Sequence, residues 1–277
     1  MFKLFFSNIN IETFIFLSIF CFIASFIDAI VGGGGLISIP AYLASGLPIH
    51  IALGTNKLSS CISTTASSFK FIFSGKVNKE LIYKLFLFSF IGSFIGVKTV
   101  ILINPKYLSP LIIILLTLIF LYSLINKNLG EENKFKELNK KNILISRVIF
   151  FIIGFYDGFL GPGSGSFMIF ALIKIFKLDF TSACANAKLL GLSSNVASML
   201  SFIILKKVNF FYSIPIGIIM IFGAILGTKF ALIKGNLFIK PLFLIITFII
   251  LIKMLLETIF YIDIIEIIKN LISIIIF

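Results

Sequence analysis

Stretches of roughly 20 apolar residues recur from one end of this chain to the other, each long enough to cross a hydrocarbon core about 30 Å thick. No other feature restricts the fold as much. In lipid a backbone must satisfy its own polar groups, so uninterrupted apolar stretches are read as helices. The expected fold class is all-α: a polytopic membrane helix bundle. Composition agrees, with 59% of the 277 residues hydrophobic and only 13% charged. A soluble domain carries about twice that charged share, and the mean hydropathy here is +1.16. No polar region is large enough to fold as a separate soluble domain. The first apolar run, Phe14 to Val31, is too long for a signal-peptide core and lacks a clear cleavage site, so it is expected to stay as a span.

The formal net charge of +13 raises the question of nucleic acid, and its distribution answers no. Lysines gather in short gaps between apolar runs: Lys76, Lys79 and Lys84, then Lys134, Lys136, Lys140 and Lys141. That is the positive-inside pattern of cytoplasmic loops, not a continuous basic face. The expected location is the cell inner membrane, with many crossings. Cys21, Cys61 and Cys184 are odd in number and lie inside apolar segments, so they form neither a disulfide framework nor a metal-ligand set.

The chain repeats its punctuation. Near Asp28 it reads Asp-Ala-Ile-Val-Gly-Gly-Gly-Gly, and near Asp157 it reads Asp-Gly-Phe-Leu-Gly-Pro-Gly-Ser-Gly. The offset from Asp28 to Asp157 also carries Gly32 to Gly161. With two residues more it carries Leu47 to Leu178, Lys57 to Lys188 and Val77-Asn78 to Val208-Asn209. Gly92, Gly96 and Lys98 match Gly223, Gly227 and Lys229 at the same spacing. Two homologous repeats are expected, 1–126 and 143–277, joined by a charged cytoplasmic linker at 127–142. Apolar runs fall at about 12–31, 36–46, 50–73, 80–103 and 110–126, and again near 143–160, 166–177, 180–205, 209–233 and 241–260. The pieces at 36–46 and 166–177 rise only about 17–18 Å as helices, too little to span alone. If they are re-entrant, each half has four spans and the repeats are parallel, which is the preferred reading. If they cross, each half has five spans and the repeats are inverted.

The glycine runs carry the strongest chemical signal. Gly32, Gly33, Gly34 and Gly35 disfavour a continuing helix, and Pro162 within Gly161-Pro162-Gly163-Ser164-Gly165 forbids one. Broken helices at membrane depth are tolerated where they line a cavity, and the new helix N-terminus then offers bare amides to an anion. Dense packing is the plainer reading. Lys57 and Lys188 sit in otherwise uncharged, small-residue segments, where a lysine costs on the order of 3 kcal/mol unless it faces a cavity or a partner. They are read either as anion ligands or as partners of Asp28 and Asp157. Those aspartates are in turn read as proton carriers, structural partners or helix caps. The serines and threonines from Ser59 to Ser68 suit either a substrate path or a helix interface.

The residues Ile27-Asp28-Ala29, Gly32 through Pro40, Ala52-Leu53-Gly54-Thr55-Asn56-Lys57, Gly154 through Gly163 and Ser193-Ser194-Asn195 resemble the TauE/SafE group of sulfite and sulfonate exporters, also called the toluenesulfonate uptake permease family. The nearest likeness is to its YfcA-like branch, and it covers nearly the whole chain. The resemblance implies a secondary transporter, in the export direction, of small anions such as sulfite, sulfonates or related organic acids. From the glycine breaks and the lone lysines, the expected substrate-binding set is Gly32, Gly33, Gly34, Gly35, Asn56, Lys57, Gly161, Gly163, Ser164, Gly165 and Lys188. Asp28 and Asp157 would be proton-coupling or structural. Asn186-Ala187-Lys188 departs from Thr55-Asn56-Lys57, so a role for Asn56 is not shared by the second half. A membrane scaffold without transport activity is the alternative. The sequence lacks HExxH, GxSxG and GxxxxGK[ST], so no catalytic residues, metal or cofactor are expected. The expected partners are a small anionic substrate and membrane lipid, with no nucleic acid, and a homo-oligomer is compatible.

Overall fold

The computed structural model describes residues 11–102, 133, 135, 139–234, 241, 245, 248 and 252. They form helices α1 (Ile11–Val31), α2 (Gly35–Ala44), α3 (Ile49–Phe73), α4 (Lys79–Val100), α5 (Lys140–Phe159), α6 (Ser164–Phe176), α7 (Phe180–Ile204) and α8 (Phe210–Lys234). Among the described residues α1, α4, α5, α7 and α8 are long and apolar enough to cross a membrane. The chain is thus an all-helical, multi-pass membrane protein. The apolar run at 110–126 lies outside the described residues, as does most of 241–260.

Local signals explain the helix ends. Asn78 caps α4 by accepting a hydrogen bond from Leu81 N at 3.0 Å, and Asn139 caps α5 from Lys141 N at 3.0 Å. Asp179 does the same for α7 from Ser182 N at 3.4 Å. The helix α3 is the polar exception, and several of its hydroxyls bond to carbonyls of the helix itself. Ser59 donates to the Thr55 carbonyl at 2.7 Å, Thr65 to that of Cys61 at 2.7 Å, and Ser67 to that of Thr64 at 3.0 Å. So a serine-rich helix can lie deep in the bundle.

Contact order fixes helix directions. Gly92 and Gly96 of α4 lie against Phe151 and Phe155 of α5 in the same sequence, so these helices are parallel. Ser89 and Ser93 of α4 bond to the carbonyls of Leu190 and Ser194, so α7 runs with them. In the same way Gly223 and Gly227 of α8 meet Phe22 and Phe26 of α1. Thr55 and Lys70 of α3 bond to Asn209 and Ile225 of α8. These three therefore share the other direction. Between the two sets α3 and α7 are antiparallel, with Ser68 at Lys188 and Lys57 at Asn195. The approaches at α4–α5 and α1–α8 depend on glycine: a Cβ on Gly96 would lie 2.1 Å from the Phe155 carbonyl oxygen.

The two short helices fold back. Tyr42 of α2 packs in one cluster with Leu17 and Cys21 of α1, while Gly34 lies against Asp28 near the other end. The hairpin α5–α6 is alike, with Phe167 beside Tyr156 and Phe176 in the same core cluster as Phe150. Each pair is a helical hairpin with a glycine tip. Because α1 opposes α5, α3 opposes α7 and α8 opposes α4, the helix directions follow the inverted alternative. The parallel, four-span reading requires matched helices to run the same way, and these do not. Loop charge does not separate the two alternatives, because Lys206-Lys207 and Lys174 with Lys177 pull in opposite senses.

These directions place the α3–α4 turn, the start of α5 and the ends of α6 and α8 on one face, and the α7–α8 turn on the other. Cysteines introduced at Lys76 and Lys207 should therefore react with an impermeant thiol reagent from opposite sides of the membrane. Labelling of both from the same side would refute the inverted arrangement.

Candidate functional site

The two hairpin tips meet. Both chains turn there through left-handed backbone, with φ +77° at Gly32, +93° at Gly161 and +77° at Gly163, which costs glycine nothing. Gly32 lies against Gly165 so closely that a Cβ on Gly32 would stand 2.4 Å from the Gly165 carbonyl carbon. Ser166 Oγ of one tip donates to the Val31 carbonyl of the other at 2.8 Å. Both glycine segments interrupt their helices.

Around the junction the charges pair crosswise. Lys57 on α3, in the first half, reaches Asp157 on α5, in the second, with Nζ 2.9 Å from Oδ2. Lys188 on α7 reaches Asp28 on α1, with Nζ 2.5 Å from Oδ2. So the ion-pair reading of the lysines describes this geometry, and neither ammonium stands free. Gly161 makes room for one of them, since a Cβ there would come within 3.2 Å of Lys57 Nζ.

The two pairs are not equivalent. Asp157 is 6% exposed at its side chain and accepts from Ser164 Oγ and Ser194 Oγ, each at 2.5 Å, besides Lys57. Asp28 is 30% exposed and, among the described residues, has besides Lys188 only the Gly34 amide at 3.3 Å. One of the two hydroxyls traces to a sequence difference. Gly35 stands seven residues after Asp28 and Ser164 seven after Asp157, so the first tip lacks that hydroxyl.

Two small cavities flank the tips, of about 50 Å³ and about 40 Å³. Each has room for a few waters or one small oxyanion. The larger is lined by Asp28, Gly32, Gly34, Gly35, Asn56, Lys57, Ser60, Asp157, Gly161, Ser164 and Asn195, among others. The smaller is lined by Asp28, Gly32, Thr64, Asp157, Ser164, Gly165, Lys188 and Asn195, among others. Of the candidate residues, Gly33 and Gly163 line neither cavity; they shape the turns. Asn56 is buried beside the larger cavity, within 3.5 Å of Ser60 Oγ, and its counterpart Ala187 leaves that position apolar.

Sequence reasoning passed over two residues here. Ser194 binds Asp157, and Asn195 bridges the halves, accepting from Lys57 Nζ at 3.3 Å and donating to Thr64 Oγ1 at 3.3 Å. The available signal was the Ser193-Ser194-Asn195 triplet itself, an amide about two helical turns beyond a lone lysine.

The profile of the family described as Sulfite exporter TauE/SafE matches residues 17–254. A probable membrane transporter protein of Haemophilus influenzae is 36% identical over 242 residues, covering 85% of this chain and 92% of that relative. The probable membrane transporter protein ORF9 of a Sinorhizobium species is 32% identical over 240 residues, covering 87% and 91%. The probable membrane transporter protein YfcA of Escherichia coli K12 is 33% identical over 236 residues, covering 85% and 87%. No solved structure matches significantly. The chain belongs to the TauE/SafE family.

Proposed function

We propose that this TauE/SafE family member is a secondary transporter that exports a small anion, such as sulfite, a sulfonate or a related organic acid, through the junction of its two hairpin tips. The reading makes the halves two homologous repeats with inverted topology. One observation carries it above all: two glycine-broken hairpins meet tip to tip beside buried lysines and small polar cavities, and paired broken helices mark binding sites in transporters built from inverted repeats. The anion would be held by the Gly35 and Gly165 amides at the starts of α2 and α6, since those of Leu36, Ile37 and Ser164 already donate to the turn carbonyls of Gly33, Gly34 and Gly161. Asn56, Ser60 and Ser164 add donors, and Lys57 or Lys188 adds charge once its aspartate gives way. The glycines Gly32 to Gly35 and Gly161 to Gly165 let backbone, not side chain, form the walls. Family membership points to a transporter and not to an enzyme.

The scaffold reading draws on a specific observation as well: both lysines are already paired. The two part company on ligand response. Purified protein is expected to gain thermal stability with at least one of sulfite, the sulfonates and related organic acids, and little with chloride. Lys188→Gln, at the more open pair, should keep near-normal levels while losing most of that shift. A full panel without any ligand-dependent shift would favour the scaffold.

A further inference from the structure

We propose that an anion entering the tip junction takes up one proton with it, and that Asp28 is the carboxylate that carries this proton. The inference rests on the transport reading and deepens it, by naming the coupling ion and the residue that holds it.

Charge neutrality is the first ground. The ionisable side chains lining the two cavities are Asp28, Lys57, Asp157 and Lys188, two of each sign. Their formal charges cancel. An anion added to this set would leave one net negative charge among buried groups, which is unfavourable in surroundings of low dielectric. A proton from water, taken by one carboxylate oxygen, restores neutrality. It also frees a ligand: the lysine that loses its carboxylate keeps its own three protons and turns to the anion. Proton and anion then promote each other's binding, as reciprocal linkage requires.

The asymmetry of the pairs decides which carboxylate accepts. Asp157 is held by an ammonium and two hydroxyls, and its protonation would break that donor set. Lys57 is anchored further by Asn195. Both carboxylates line both cavities, but Asp28 has fewer donors and is 30% exposed against 6%. The neighbouring helices leave it alone in this role. α7 presents Lys188 and also Cys184, whose thiol is engaged with the Ile30 carbonyl at 2.9 Å. α3 and α5 present Lys57 and Asp157, and α2, α6 and α8 bring no titratable side chain to either cavity.

The test uses full-length protein and methanesulfonate, an anion that stays ionised over the working range, so that any pH dependence belongs to the protein. Calorimetric titration in buffers of different ionisation enthalpy counts the protons taken up. Wild type should take up close to one per methanesulfonate at alkaline pH, with affinity falling about tenfold per pH unit there. Asp28→Asn should bind with no uptake and a flat pH profile, and Asp28→Glu should restore both. Binding without uptake in wild type, or uptake that survives in Asp28→Asn, overturns the proposal. If methanesulfonate binds at no pH, the sulfonate reading fails, and infrared titration of ligand-free protein still decides the carrier. A protonated-carboxyl band that appears on acidification and vanishes in Asp28→Asn supports it; a band unchanged in that variant, or none, refutes it.

Discussion

Gly32→Ala is expected to cost roughly 3–5 kcal/mol and to leave little folded protein in the membrane. Two independent penalties fall on one methyl group. The backbone at Gly32 has φ +77°, where an L side chain is strained. The new Cβ would also stand 2.4 Å and 2.6 Å from Gly165 backbone atoms, which belong to the opposing tip and cannot swing aside. Gly75→Ala isolates the first penalty, because φ there is +72° and nothing lies within 4 Å of the added carbon. That variant should lose only about 1–2 kcal/mol. Gly165→Ala isolates the second, with helical backbone and a Cβ 2.6 Å from Gly32. Membrane yield and thermal unfolding of the three variants measure the order. Equal losses for Gly32→Ala and Gly75→Ala would mean that the tips do not touch as described.

The sequence made the helices legible because lipid leaves so few choices. Apolar runs at 12–31, 50–73 and 180–205 correspond within a residue or two to α1, α3 and α7. Both glycine segments fall between helices, since four glycines or a Gly-Pro-Gly turn cannot continue one. Direction was another matter. Whether α2 returns along α1 depends on Tyr42 finding Leu17 and Cys21, a packing fact that periodicity does not contain.

Pairing was hidden for a related reason. Two aspartates and two lysines at matching positions are compatible with pairs inside each half or across the halves. Only the antiparallel placement of α3 against α7 sends Lys57 to Asp157 and Lys188 to Asp28. Part of the difference in donors turns on something smaller still, a glycine against a serine at the start of α2 and α6. Gly35 reads as one more glycine in a run, yet its lack of a hydroxyl leaves Asp28 with an unfilled donor position that Ser164 fills for Asp157.

Asp157→Leu should destabilise the protein by roughly 3–5 kcal/mol, and Lys57→Met in the same chain should recover most of the loss. Removing the carboxylate alone strands the Lys57 ammonium at 5% exposure, with Asn195 as its remaining partner. It also takes the acceptor from Ser164 and Ser194, hydroxyls that then have to turn to backbone carbonyls. A buried charge without its partner is far costlier than an apolar pair of similar volume, so deleting both ends removes the larger part of the penalty. Thermal unfolding of the two single variants and the double variant gives the coupling directly. A double variant whose loss equals the sum of the two single losses would show that the pair contributes nothing beyond its parts. If the double variant folds, it also separates structure from transport. On the proposed function it should keep its fold and lose part of its anion-dependent stabilisation, because Lys57 lines the larger cavity. A folded double variant with the full ligand response would place the anion with Lys188 and Asp28 alone.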